Sequence, residues 1–140
     1  MTPAVEQLNR RLLRARDAMD RTYAGPLDIP RLAAIAGLSE KHFIRSFRAT
    51  FGEPPHRYLQ RRRVERAMFL LTETDREVTT ICCDVGFTSL GTFSRTFRDI
   101  VGESPTRYRQ RAPVAVGPTC FLMAAMRPST FGEAASPNRH

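Results

Sequence analysis

The chain has 140 residues, a formal net charge of +8 and a pI near 10.6. This length suits one ordinary domain or two very small units, and it excludes a large multidomain enzyme. The charge favours a polyanionic partner, which leaves nucleic acid, an acidic membrane surface and an acidic protein open.

The basic residues are 21 arginines and a single lysine, Lys41. Arginine suits bidentate contacts to phosphate and guanine, although an arginine-rich genome produces the same bias. The three cysteines show no C-x-x-C or C-x-x-H spacing, which argues against a disulfide framework and a structural zinc. We therefore expect no metal and no cofactor.

The chain shows neither a signal peptide nor a membrane span. No stretch reaches the roughly 18 apolar residues that a span requires, and the N-terminus has no apolar core. We therefore expect a soluble, cytoplasmic protein without a membrane partner.

The first element is an amphipathic helix within residues 1–25. Thr2 suits the N-cap and Pro3 the first helical position, while Gly25 and Pro26 provide a stop. Apolar residues recur at helical spacing at Val5, Leu8, Leu12, Ala15 and Met19. We expect this helix to pack on the unit that follows it.

An internal repeat determines the predicted architecture. Residues 43–61 and 93–111 are identical at eleven of nineteen positions with an offset of 50. Upstream, Gly37 pairs with Gly86 at an offset of 49, so the second copy has one extra residue in its turn. The chain therefore contains the same small unit twice.

Each copy reads as helix, glycine turn, helix, then Gly and Pro, which is the pattern of a helix-turn-helix unit. In the first copy, residues 26–54, Asp28 and Ser39 suit the N-caps and Gly37 the turn. In the second, residues 73–111, a helix over 78–85 precedes Gly86. The predicted buried stripes are Phe43, Phe47 and Phe51 in the first copy, and Phe93, Phe97 and Val101 in the second.

Small side chains are expected where the two helices of each unit touch. Ala33 and Cys82 each lie four residues before a turn glycine, which favours packing of Cys82 over a redox role. Tyr58 and Tyr108 are predicted to close the cores rather than to stack on bases.

A linker helix joins the copies over residues 55–72, basic in its first half and apolar in its second. Residues 112–140 form a Pro-rich tail that we expect to be partly disordered, with an apolar stretch at 120–126 that suits packing on the body. The sequence thus predicts an all-α fold of two helix-turn-helix subdomains joined by a long linker helix.

Several motifs resemble those of the AraC/XylS family of bacterial transcriptional regulators. The first copy contains G-L-S, H-F-I-R-S-F-R and F-G-E-P-P-H-R-Y, and the second contains V-G-F-T-S-L-G-T-F-S-R-T-F-R and G-E-S-P-T-R-Y-R. The resemblance covers about residues 27–111. It implies about seven helices in two lobes that bind adjacent major-groove segments of double-stranded DNA. With about 25 residues before the first lobe, the chain resembles short members without an N-terminal effector domain. Such a chain would act as a monomer on DNA, with RNA polymerase as a candidate second partner.

In the first lobe, the family's base-reading positions correspond to Lys41, Ile44 and Arg45, with His42 beside them. Arg45 is the leading candidate because an arginine there can bond guanine O6 and N7, although a phosphate contact is the alternative. Ile44 has no polar group and can only touch a thymine methyl.

In the second lobe, the corresponding positions are Leu90, Gly91, Ser94 and Arg95, with Thr92 available as well. The first two depart from the polar side chains that the family often carries, so we expect the first lobe to contribute more specificity. Five arginines suit phosphate contacts, with a solvated or ion-paired structural role as the alternative for each: Arg48, Arg57, Arg61, Arg98 and Arg107.

Other functions fit the sequence less well. The three histidines lie apart without ligand spacing, so neither catalysis nor a catalytic site is expected. A non-specific cationic nucleic-acid-binding protein would explain the charge but not the duplicated unit. An effector- or partner-binding module remains an alternative. If both lobes bind DNA at once, their sites should lie roughly 10 base pairs apart within around 20 base pairs.

Overall fold

The computed structural model describes residues 2–111, so the predicted tail at 112–140 lies outside the described residues. Within residues 2–111 the chain forms seven α-helices and no strands, which confirms the predicted all-α fold class. The helices are α1 (Pro3–Thr22), α2 (Ile29–Ala36), α3 (Glu40–Phe51), α4 (Pro55–Glu73), α5 (Val78–Asp84), α6 (Leu90–Val101) and α7 (Pro105–Arg111). None of these helices has both the length and the apolar content needed to cross a bilayer.

The predicted caps start the helices of the first copy. Oδ1 of Asp28 accepts a hydrogen bond of 3.0 Å from the backbone N–H of Arg31, and Oγ of Ser39 accepts one of 3.2 Å from that of His42. At the other end of α2, Gly37 adopts φ +71°, in the left-handed region that glycine enters without strain. These caps fix where α2 ends and α3 begins, as the sequence predicted.

The second turn is one residue longer than the first. Leu38 alone separates Gly37 from the cap Ser39, whereas two residues separate Gly86 from the cap Ser89. The change of offset from 49 to 50 is thereby confirmed. Two boundaries differ from the prediction: α5 ends at Asp84, with residue 85 as its C-cap, and α4 extends to Glu73.

The described chain divides into two compact units, Met1–Arg63 and a second unit beginning at Val64. In the first unit, α1 packs against α2 and α3. The core holds Leu12, Ala15, Met19, Leu32, Ala33, Ala36, Phe43, Phe47, Tyr58 and Leu59. Val5 lies on the same apolar stripe of α1 but is 44% exposed, and the buried residues of this helix begin at Leu12.

Three side chains of α4 attach it to α1 and to the segment that follows α1, inside the first unit. The Tyr58 hydroxyl donates to Oδ1 of Asp20 at 2.9 Å, and Arg62 forms an ion pair with the same oxygen at 3.1 Å. Arg63 donates from Nε to the Tyr23 carbonyl at 2.6 Å and from Nη2 to the Gly25 carbonyl at 3.1 Å. Burial lowers the pKa of Arg63 from its ordinary value. These contacts close the first unit around its core.

The second unit repeats the aromatic packing of the first. In the second unit, the ring centroids of Phe93 and Phe97 lie 5.8 Å apart and those of Phe97 and Tyr108 lie 5.7 Å apart. The corresponding distances in the first unit are 5.6 Å between Phe43 and Phe47 and 5.7 Å between Phe47 and Tyr58. These separations fall in the range of favourable tilted aromatic pairs. Both tyrosine rings are buried, as predicted.

Cys82 is buried between the helices of the second unit. Its Sγ lies 3.9 Å from the Phe87 carbonyl oxygen, and burial raises the pKa of its thiol. Cys83, the next residue, is exposed. A buried thiol with a raised pKa is a poor nucleophile, which agrees with the packing role predicted for Cys82.

Candidate nucleic-acid interface

The outer face of α3 is a cationic surface with an apolar centre. Lys41, Ile44, Arg45, Arg48 and Ala49 line one shallow concavity, opposite the buried Phe43 and Phe47. The spacing of these residues at i, i+3, i+4, i+7 and i+8 explains why they share one face. We call this set the α3 face.

Within the described residues, no neighbouring acid neutralises the cations of the α3 face. Lys41, Arg45 and Arg48 are exposed, and among residues 2–111 their side chains have neither an ion-pair nor a hydrogen-bond partner. Ile44 lies between them and is 38% exposed. Unpaired guanidinium and ammonium groups around an exposed methyl-bearing side chain suit a ligand that offers anionic oxygens and apolar edges.

His42 occupies a different position from the other predicted base-contact residues of α3. It is half-buried and lines a separate pocket with residues of α1 and of the turn. Its neighbours there include Leu8, Arg11 and Leu38. His42 therefore lies at the edge of the α3 face rather than within it.

The outer face of α6 is smaller and less basic. Arg95 and Arg98 are exposed, and within the described part of the chain neither side chain has an ion-pair partner. Thr92 and Ser94 are half-buried, Gly91 is exposed, and Leu90 is 43% exposed at the start of the helix. This face presents two cations, where the α3 face presents three.

The five predicted phosphate contacts have unequal surroundings. Arg48, Arg98 and Arg107 are exposed, whereas Arg57 is half-buried. The side chain of Arg61 is only 11% exposed, and its Nη2 lies 2.6 Å from Oε2 of Glu53. For Arg61 this geometry favours the alternative of a structural, ion-paired arginine.

The same ion pair recurs in the second unit. Arg111 pairs with Glu103, and this contact raises the pKa of Arg111. Each arginine also lies over a tyrosine ring, Arg61 at 5.3 Å from the centroid of Tyr58 and Arg111 at 5.8 Å from that of Tyr108. The repeated Glu, Tyr and Arg therefore form one structural motif in both units.

Two residues near the α3 face were not among the predicted contacts. Gln7 and Arg11 of α1 line the same pocket as His42. Their sequence signal is weak because an arginine beside a leucine stripe is the ordinary composition of an amphipathic helix. Only the packing of α1 against the turn brings them close to α3.

Comparison with known proteins identifies the family. A family model described as a helix-turn-helix domain matches residues 32–111, more than half of the chain. A probable AraC family transcriptional regulator from Rhodopseudomonas palustris CGA009 is 30% identical, with a TM-score of 0.67 over 74% of this chain and 97% of that one. The chain belongs to the AraC-type helix-turn-helix family. The resemblance read from the sequence motifs is thereby confirmed.

A further similar structure is that of the DNA-binding domain of AdpA, the global transcriptional factor, in complex with a target DNA. It is 32% identical with a TM-score of 0.68, over 76% of this chain and 96% of that one. The AraC-type fold is that of a regulator's DNA-binding domain, and this membership confirms the prediction that the chain is not an enzyme.

Two related full-length regulators match over part of their length. An uncharacterised HTH-type transcriptional regulator of Haemophilus influenzae is 37% identical over 65 residues, and the probable transcriptional regulator LumQ of Photobacterium leiognathi is 30% identical over 90. The chain spans 22% of the first protein and 36% of the second. The similarity therefore concerns the AraC-type domain.

Proposed function

We propose that this chain regulates transcription in the cytoplasm by binding double-stranded DNA sequence-specifically, with α3 and α6 each entering a major groove. The observation that carries the proposal is the α3 face, on which three cations without an ion-pair partner among residues 2–111 surround an exposed isoleucine. The complex of the related AdpA domain with DNA supports the same class of ligand.

The chemistry of the α3 face fits base readout. The guanidinium of Arg45 can donate two parallel hydrogen bonds to O6 and N7 of a guanine, and Ile44 can contact a thymine methyl. Lys41 and Arg48 flank them and suit either a base edge or a phosphate. In this proposal α3 supplies most of the sequence preference.

The α6 face contributes mainly affinity and register. Arg95 and Arg98 suit phosphate or base contacts, and Thr92 and Ser94 have hydroxyl groups that can do the same. Leu90 and Gly91 add no hydrogen-bonding side chain. Arg107 and Arg57 complete the set of proposed phosphate contacts.

In the same proposal, one chain binds each DNA site as a monomer. RNA polymerase is the proposed second partner.

The test is selection from a randomised duplex library with the purified chain at near-physiological salt. We expect enrichment of one or two short sequence blocks, and two blocks about 10 base pairs apart if both helices read bases. Arg45→Ala should weaken the enriched block assigned to α3. Arg21→Ala, which removes the same charge from an exposed site at the end of α1, serves as the matched control.

The salt dependence of affinity separates the remaining outcomes. We expect log K to fall with log salt by about 0.9 for each phosphate neutralised. Steep salt dependence without sequence enrichment would indicate a non-specific cationic protein. A flat response together with no enrichment would favour an effector- or partner-binding module instead.

A further inference from the structure

A small pocket separates the N-terminal half of α1 from the start of α3. One wall consists of Ala4, Gln7, Leu8 and Arg11, which share a face of α1, and the other of Leu38 and His42. The pocket has a volume of about 260 Å³. This is below the roughly 300 to 1,000 Å³ of pockets that enclose drug-sized ligands, so the pocket suits a small group.

The polar groups of the pocket are suited to an anion. Arg11 contributes a guanidinium, Gln7 an amide and His42 an imidazole, and none of the described lining residues is acidic. The one intramolecular contact of the Arg11 guanidinium within residues 2–111 is a long hydrogen bond of 3.3 Å from Nη1 to the Gly37 carbonyl. Most of its five N–H donors are therefore available to a ligand.

The imidazole of His42 has no hydrogen-bond or ion-pair partner among the described residues. Only the backbone N–H of this residue is engaged, by the Ser39 cap. Its ring is thus a second available polar group, placed across the pocket from α1. Two helices therefore supply the donors of one pocket.

The position of the pocket beside the α3 face favours a phosphate of the DNA backbone as the anion. His42 follows Lys41 directly, so it lies about 100° further around α3, at the edge of the α3 face. An α-helix with side chains is about 10 to 12 Å wide, and the major groove is about 12 Å wide. A helix that fills the groove therefore meets the sugar–phosphate backbone along its edges.

We propose that this pocket binds one backbone phosphate of the DNA duplex, with Arg11 and His42 as its ligands. This inference rests on the proposed function, since it requires α3 to occupy a major groove. It makes α1 part of the DNA-binding surface, in addition to its packing role. The contact fixes the register of α3 without reading a base.

The first experiment compares the salt dependence of duplex binding for the full chain and its variants. Arg11→Gln and His42→Ala should each lower affinity several-fold on the selected duplex and on a random duplex alike. Arg11→Gln, which removes the guanidinium charge, should also reduce the log–log slope by about 0.9. Arg21→Gln removes an exposed arginine ten residues along the same helix, about 15 Å away, and should leave the slope unchanged.

The second experiment replaces single phosphates of the selected duplex by neutral methylphosphonates, one position at a time. The wild-type chain should lose affinity at one position where Arg11→Gln shows no additional loss. Because the His42 ring has no hydrogen bond or ion pair within residues 2–111, the methylphosphonate profile of His42→Ala tests the proposal even if Arg11→Gln reduces stability. Thermal unfolding of each variant checks that it is folded.

The outcomes separate this inference from the proposed function. Sequence-specific binding with unchanged slopes and identical methylphosphonate profiles for all variants would overturn the phosphate pocket alone. Stabilisation of the free chain by inorganic phosphate that depends on Arg11, with no change in the DNA profile, would also overturn it in favour of a free-anion site. If the wild-type chain does not bind duplex DNA at all, both proposals are wrong.

Discussion

Tyr58 and Asp20 are 38 residues apart in the chain and are joined by a hydrogen bond of 2.9 Å. The hydroxyl of Tyr58 donates, and the accepting oxygen also pairs with Arg62. Burial, and then the negative charge of Asp20 and this hydrogen bond, raise the pKa of Tyr58 well above its ordinary value near 10. One carboxylate of α1 therefore holds two side chains of α4.

Replacing Tyr58 by phenylalanine should lower the free energy of unfolding by about 1 to 2 kcal/mol at pH 7. The ring still fills its place against Phe47, but Asp20 loses one of its two partners in a half-buried position. Urea denaturation of the variant and the wild type measures this difference. An unchanged midpoint would show that water replaces the hydroxyl without cost.

The same pair predicts a dependence of stability on alkaline pH. Because the folded state binds the phenolic proton more tightly than the unfolded state, the contribution of Tyr58 is fully present below about pH 10. It is lost as the pH rises above that value. The stability difference between wild type and Tyr58→Phe should therefore shrink above pH 10, and a constant difference across the series would argue against this linkage.

Arg45→Ala should relax sequence preference, whereas Arg57→Ala should lower affinity on all duplexes alike. Loss of a bidentate guanine contact costs about 1 to 3 kcal/mol of discrimination, while a phosphate contact contributes to every sequence. Titration of each variant with the selected duplex and with a scrambled one measures both effects. Equal losses on both duplexes for both variants would contradict these assignments.

The two repeated ion pairs should differ in their contribution to stability. Arg61 is 11% exposed and Arg111 is 52% exposed. Glu53→Gln removes the negative charge that pairs at 2.6 Å with a largely buried guanidinium and should cost about 1 to 3 kcal/mol. Glu103→Gln affects a pair that water already screens, so its effect should be smaller. Chemical denaturation measures the free energy of unfolding of both variants. A larger decrease for Glu103→Gln than for Glu53→Gln would contradict this prediction.

Two glycines should respond to alanine in opposite directions. Gly37 has φ +71°, so Gly37→Ala places a side chain in a strained conformation and should cost about 1 to 2 kcal/mol. Gly91 is the second residue of α6, where an added Cβ meets only Ser89 Oγ at 3.7 Å, so Gly91→Ala should stabilise, by less than the roughly 1 kcal/mol of a helix interior. Thermal unfolding distinguishes them. A lower melting temperature for Gly91→Ala would show that α6 requires glycine there.

The repeat explains why so much of the fold could be predicted from the sequence. Local signals fix the helix ends, since Asp28 and Ser39 need only reach backbone groups three residues away. The aromatic stripe of Phe43 and Phe47 is likewise a matter of helical spacing. Duplication then provided each signal twice, and the shift from offset 49 to 50 located the extra residue of the second turn.

The contacts between distant segments could not be predicted in this way. The hydrogen bond of Tyr58 to Asp20 and the packing of α1 beside His42 depend on how helices pack, for which no periodic pattern exists. Arg61 illustrates the same limit. An arginine stands at this position in both copies of the repeat, which is consistent with a phosphate contact as well as with an ion pair. Only the position of Glu53 in space favours the ion pair.

The bonds from Arg63 to the carbonyl groups of Tyr23 and Gly25 define the smallest excisable fragment of the first unit. The Tyr23 carbonyl and Arg63 are 40 positions apart in the chain, so the hydrogen-bonded loop closes only when the polypeptide extends to Arg63. A fragment cut after Pro54 would lose this closure together with both partners of Asp20. A fragment ending at Arg63 would retain the closure and both partners of Asp20, even though its end lies inside α4. Protease cleavage inside α4 should therefore release a folded piece only when the cut falls after Arg63.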